Sequence, residues 1–118
     1  MTKGFRAALA LILAAIPAAV QAHTALRSSN PPSGSVLTQS PPVLTLTFLE
    51  PASLTSLTLV TAAGERQLSF TPTGSATTFN AARPGFARGR NEVHWRALSR
   101  DGHVVEGSII VVLRAPKP

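Results

Sequence analysis

Residues 43–49 constrain this chain more than any other segment. Leu44, Leu46 and Phe48 alternate with Thr45 and Thr47, which is the two-residue period of a strand with one buried and one wet face. Pro41-Pro42 precede it and set an abrupt start, because proline has no N–H to give to a ladder. The rest of the chain is punctuated in the same manner. Residues 24–28 read as a first short strand, ended by Asn30-Pro31-Pro32-Ser33-Gly34, a cluster foreign to the interior of any strand or helix. Residues 57–61 and 67–71 read as two more strands, joined as a hairpin through Ala63-Gly64-Glu65-Arg66. A weaker strand over 76–82 is centred on Phe79, and Pro84-Gly85 and Gly89 bound the loop that follows.

Over 92–99, Val93, Trp95 and Ala97 share one face while Glu92, His94 and Arg96 share the other. Residues 107–113 are rich in Ile and Val on both faces, as suits a central strand. Seven short strands with turn residues between them, and no helix, predict an all-β fold. The expected architecture is a Greek-key β-sandwich or barrel, immunoglobulin-like or cupredoxin-like, with Trp95 as its core anchor.

The first 22 residues follow a different logic. Lys3 and Arg6 make a short positive region, and residues 7–16 are an uninterrupted apolar run, too short for a transmembrane helix. Pro17 breaks the run, and Val20-Gln21-Ala22 offers small residues at the −3 and −1 positions of a signal-peptidase site. Residues 1–22 are therefore expected to be a cleaved signal peptide, and residues 23–118 a single exported domain beginning at His23. That domain has no Cys and no Met, so its stability rests on packing or on a bound ligand.

The expected mature domain carries nine Lys and Arg against five Asp and Glu, a net charge of about +4. Arg83, Arg88, Arg90, Arg96 and Arg100 are dense in its second half. They are not interleaved with aromatics for base stacking, which argues against nucleic acid. Solvated strand faces, or attraction to an anionic surface, account for them.

Three histidines remain: His23, His94 and His103. His94 shares the parity of Glu92 and Arg96, away from Trp95, and reads as a surface side chain. In Asp101-Gly102-His103 the two polar residues are spaced to point the same way in an extended segment, with Gly102 free to turn. By itself that tripeptide also fits an ordinary turn. His23 as a first residue adds an α-amine and an imidazole nitrogen that chelate one cation. Together with an imidazole and a carboxylate they form the planar N/O set favoured by Cu(II). Zn(II), which prefers a tetrahedral set, is the competing ion.

The expected mature chain resembles the CopC family of periplasmic copper-binding proteins along nearly its whole length. The resemblance rests on His23-Thr24-Ala25-Leu26 with Ser29-Asn30-Pro31-Pro32-Ser33-Gly34, and on Phe48-Leu49-Glu50-Pro51. Its most specific part is Trp95-Arg96 with Ser99-Arg100-Asp101-Gly102-His103 and Gly107. It implies a periplasmic protein of copper homeostasis or resistance, binding one Cu(II) through His23, Asp101 and His103. Glu50 would be a residue near the N-terminal amine, and an inner-membrane copper transport protein the candidate recipient. Some members add a Met-rich loop for Cu(I), a soft ion that takes thioether ligands; without Met after residue 1 that loop has no counterpart here.

Two other readings start from the same residues. One is a copper-dependent oxidative enzyme with an N-terminal histidine brace. The chain lacks the flat aromatic face such an enzyme needs for a polysaccharide, and an Asp in the coordination plane would fill a position that oxygen chemistry keeps open. The other is an exported immunoglobulin-like interaction domain whose histidines are incidental. Neither a nucleophile motif nor paired carboxylates speak for catalysis.

Overall fold

The computed structural model describes residues 25–117. They form seven strands: β1 (Leu26–Asn30), β2 (Ser35–Leu37), β3 (Val43–Thr61), β4 (Gly64–Gln67), β5 (Ser75–Ala82), β6 (Gly89–Ser99) and β7 (Val104–Leu113). The all-β expectation holds, and the strands are divided differently. The segments expected at 43–49 and 57–61 belong to one 19-residue strand, β3. Its first half lies between β1 and β5, and its second half pairs with β4 and β6. Between Thr47 and Ala52 it advances five residues while β5 advances only two, from Thr78 to Ala76. Pro51 sits in this irregularity, where its missing N–H costs no ladder bond.

By way of β3 one continuous sheet curls on itself. β1, the first half of β3 and β5 make one wall; β4, the second half of β3, β6, β7 and β2 make the other. The alternating side chains of 43–49 point between the walls: Leu44, Leu46 and Phe48 are buried, with Phe79 and Ala81 beside them. Leu57, Leu59, Val93, Trp95, Ala97, Ile109 and Val111 face them from the other wall. Phe48 meets Trp95 edge to face at 5.3 Å between ring centroids, and Phe79 at 5.8 Å. Such pairs add about 0.5–1.5 kcal/mol each beyond the area they bury. Trp95 is the core anchor expected from its strand parity.

The hairpin turn lies at Ala62-Ala63, one residue earlier than expected, because Thr61 pairs with Gly64 and β4 takes up Gly64–Gln67. Of residues 68–71 only Thr71 makes a bridge, to Asn80. Strand β2 has too few residues to show a period, and it pairs in parallel with β7, leaving β7 between β6 and β2. Among the described residues the buried side chain of Asn91 is satisfied: Oδ1 accepts from Ala87 N at 2.7 Å, and Nδ2 donates to Ala87 O at 2.8 Å and Val111 O at 3.2 Å, whereas the buried Trp95 indole N–H meets no acceptor among them. Asn91 ties the β5–β6 loop to the base of β6.

Candidate metal centre

Strands β6 and β7 form the hairpin that carries Asp101 and His103. Leu98 pairs with Val104, Ser99 N donates to His103 O at 2.8 Å, and Gly102 N donates to Ser99 O at 3.0 Å. Gly102 has φ +89°, in the left-handed region where a β-carbon clashes. Asp101 and His103 are thus brought together by a turn, and not by the shared parity of an extended segment.

Within that turn Asp101 Oδ2 stands 3.0 Å from His103 Nδ1. Two donors that each lie about 2.0–2.1 Å from one ion, at right angles, are about 3 Å apart. The spacing therefore suits two adjacent ligands of a single ion. Both side chains are open to solvent, Asp101 at 69% and His103 at 79% of their full exposure. A carboxylate and an imidazole, accessible and side by side, form a hard-to-borderline donor pair that suits Cu(II) or Zn(II).

The carboxylate is held ready. Ser99 Oγ donates to Asp101 Oδ1, and His103 N donates to Ser99 Oγ at 3.2 Å. The Ser99 hydroxyl first, and then the His103 ring, hold the Asp101 carboxyl down at about 2, so it is an anion at any physiological pH. Ser99 holds the Asp101 carboxylate in place, a contact that reasoning from types and spacing missed. The residue was visible only as part of the Ser-x-Asp-Gly-His string, without a role.

Glu50 is exposed on β3 at its bend. Leu49 N donates to Ala25 O at 3.0 Å, and Ala52 pairs with Ser99. The start of β1, Glu50 and the hairpin with Asp101 and His103 thus share one end of the fold. His94 is apart from them: its Nε2 lies 2.6 Å from Glu92 Oε2, and its side chain is half exposed. The His94 ring, with Arg90 at 3.2 Å, draws the Glu92 carboxyl below its ordinary value. His94 is a surface residue, as its parity predicts. His23 lies outside the described residues. Among those residues no three His, Cys, Asp or Glu side chains gather closely enough to hold an ion; the hairpin supplies a pair.

Comparison with known proteins follows this geometry. The family model for the CopC domain matches residues 26–111. Among solved structures, the chain is similar to CopC from Methylosinus trichosporium OB3b, with 21% identity, 79% of this chain and 95% of that one covered, and a TM-score of 0.65. It is also similar to PcoC, a methionine-rich copper resistance protein from Escherichia coli, with 23% identity, 75% and 96% covered, and a TM-score of 0.54. The selenomethionine form of PcoC gives 22%, 75% and 98%, and a TM-score of 0.55. These likenesses fix the fold. Comparison with curated proteins by sequence returns no match.

Proposed function

The chain belongs to the CopC family, and from that premise we propose that it is an exported, non-catalytic protein that binds one Cu(II) through His23, Asp101 and His103. The observation that carries the reading is the 3.0 Å pairing of Asp101 Oδ2 with His103 Nδ1, at the end of the fold where β1 starts. Ala25 is fastened to Leu49 there, and two residues of chain reach about 7 Å. Cleavage behind Ala22 would make His23 the first residue and supply its α-amine beside its imidazole. Two histidine nitrogens, the amine and a carboxylate form the tetragonal N/O set that Cu(II) binds ahead of other divalent first-row ions.

The cargo is copper in its oxidised form. The sole Met is residue 1 and there is no Cys, so the domain has no soft donors for Cu(I). This separates it from the methionine-rich PcoC. Storage, resistance and delivery all begin with such a site. Delivery has a surface to work with: Leu49, Leu98 and Val104 are exposed by 53%, 42% and 61% around the hairpin, an apolar rim for a recipient such as an inner-membrane copper transport protein. Periplasmic residence is consistent with membership of the CopC family, and a cleaved signal peptide over residues 1–22 would supply the export.

The test is a Cu(II) titration of residues 23–118, followed by EPR. One equivalent with a tetragonal spectrum split by nitrogen is the expected result. Binding with no defined stoichiometry would overturn the reading, and preference for Zn(II) over Cu(II) would change the cargo.

A further inference from the structure

The strand register sorts the charges of residues 25–117 to opposite ends of the fold. At the end where β6 begins lie Arg66, Arg83, Arg88, Arg90, Arg114 and Lys117, all exposed, against Glu65 and Glu92. Contacts link the segments that carry them. Arg66 donates to Pro84 O at 2.7 Å and to Gly85 O at 3.2 Å, Arg83 N donates to Pro42 O at 2.7 Å, and Gly89 pairs with Leu113. Glu92 is already engaged by Arg90 and His94. Arg27, Arg96 and Arg100 belong to the remainder of the fold, balanced by Glu50, Asp101 and Glu106. Six cations against two acids at one end, and three against three elsewhere, assign the whole net charge of the domain to the basic end.

We propose that this end docks the protein on an anionic phospholipid membrane. The cations are spread over strand β4, the β5–β6 loop, the start of β6 and the C-terminal segment, an arrangement that meets a surface. Five of the six are arginines, whose guanidinium fork matches a phosphodiester. A shallow cleft of about 320 Å³, lined by Leu59, Ala63, Glu65, Arg66, Gly85 and Ala87 among others, opens at the same end, with one acid and one arginine on its wall. Arg66 spends only one of its nitrogens on Pro84 and Gly85 and keeps the others for a phosphate at the cleft mouth. Val36 and Val43 are exposed by 55% and 39% close by, on strands that pair with Val112 and Ala82. No helix among the described residues is long and apolar enough to cross a membrane, and the docking proposed is peripheral. Asn91 keeps the loop bearing Arg88 fixed, so little order has to be gained on binding.

The hairpin with Asp101 and His103 lies at the far end of β6, about 30 Å away at the rise of a strand. Docked in this way, the protein holds its metal-binding end off the lipid, open to the extramembrane parts of whatever brings or collects the ion. The docking needs no copper, and it stands or falls apart from the copper reading.

The experiment is co-sedimentation of metal-free residues 23–118 with vesicles. Binding is expected to phosphatidylcholine vesicles containing phosphatidylglycerol and not to phosphatidylcholine alone, and to vanish in high salt. Each cation at an anionic surface strengthens binding about fivefold, so Arg88→Gln with Arg114→Gln should weaken it about 25-fold. Arg27→Gln with Arg96→Gln makes the same change in net charge and should weaken it less than about fivefold. Equal losses from the two pairs would overturn the proposal in favour of net charge alone. Equal affinity for soluble polyglutamate would overturn it in favour of an acidic protein. Release by inorganic phosphate, at an ionic strength where chloride does not release, would assign the site to free phosphate and also overturn it. Circular dichroism melts of both variants check that each is folded.

Discussion

Trp95 and Gly107 face each other across β6 and β7, and a β-carbon on Gly107 would stand 2.7 Å from Cζ2 of the Trp95 ring. The indole lies over the glycine, buried to 4% exposure. This contact connects the core to the site, since β6 and β7 run from it straight into the turn that holds Asp101 and His103. Gly107→Ala therefore overpacks the centre of the sandwich. A loss of about 1–3 kcal/mol is expected, measured as a lower urea midpoint with an unchanged slope. An unchanged midpoint would mean that the ring moves aside at no cost.

Copper should stabilise the domain. An ion that binds only the folded chain adds about 4 kcal/mol when its free concentration is a thousand times Kd. In a domain without disulfides that is a large share of the total stability. A thermal melt of residues 23–118 with saturating Cu(II) should rise by many degrees, and by more than with Zn(II). A curve unmoved by Cu(II) would count against a native site.

The ligand set makes a graded series. His103→Ala removes the ring nitrogen beside Asp101 and should weaken Cu(II) binding most. Asp101→Asn keeps the shape and the Ser99 contact but loses the charge, and should be intermediate. His94→Ala should leave affinity unchanged, since His94 is bonded to Glu92 on the open face of β6. Competition against a chelator of known affinity ranks the three. A large loss from His94→Ala would overturn the assignment.

Much of this was legible in the sequence, for identifiable reasons. The alternation of Leu44, Leu46 and Phe48, and of Val93, Trp95 and Ala97, maps directly onto burial, because a two-residue period admits one reading. The continuity of β3 through Pro51 was not legible. A proline reads as a break, and only tertiary pairing with β5 and β6 shows that the chain bends there without ending its strand. Strand β2 escaped because three residues have no period and its partner, β7, is more than 70 residues away along the chain. At the site, residue types alone left Asp101-Gly102-His103 open between an ordinary turn and a ligand pair, and the resemblance to the CopC family is what singles out Asp101 and His103. The hydroxyl of Ser99, which fixes the carboxylate, is a matter of turn geometry that spacing does not encode.

Ser99 gives a pH prediction. Its hydroxyl, followed by the His103 ring, lowers the Asp101 carboxyl from an ordinary 3.8 to about 2 in the folded protein. A depressed folded value means that the contact favours folding fully above about pH 4 and is lost as the pH falls toward 2. Ser99→Ala should return the Asp101 carboxyl toward its ordinary value. NMR titration of that carboxyl in metal-free protein reads this directly. An unchanged midpoint in the variant would assign the depression to His103 alone.

The last prediction joins processing to binding. The proposed site uses the α-amine of His23, which exists only after cleavage behind Ala22. A free amine has a pKa of roughly 8, so the ion must displace its proton and binding should weaken as the pH falls. With any residue before His23 the same position offers a peptide nitrogen, a far poorer ligand until it is deprotonated. A form with one extra Met before His23 should therefore bind Cu(II) much more weakly than residues 23–118. Its melting temperature without metal should match, because the core begins with strands whose pairing starts at Leu26. The two forms are compared by competition against one chelator at one pH. Equal affinities would remove the amine from the site and leave the side chains of His23, Asp101 and His103 to hold the ion by themselves.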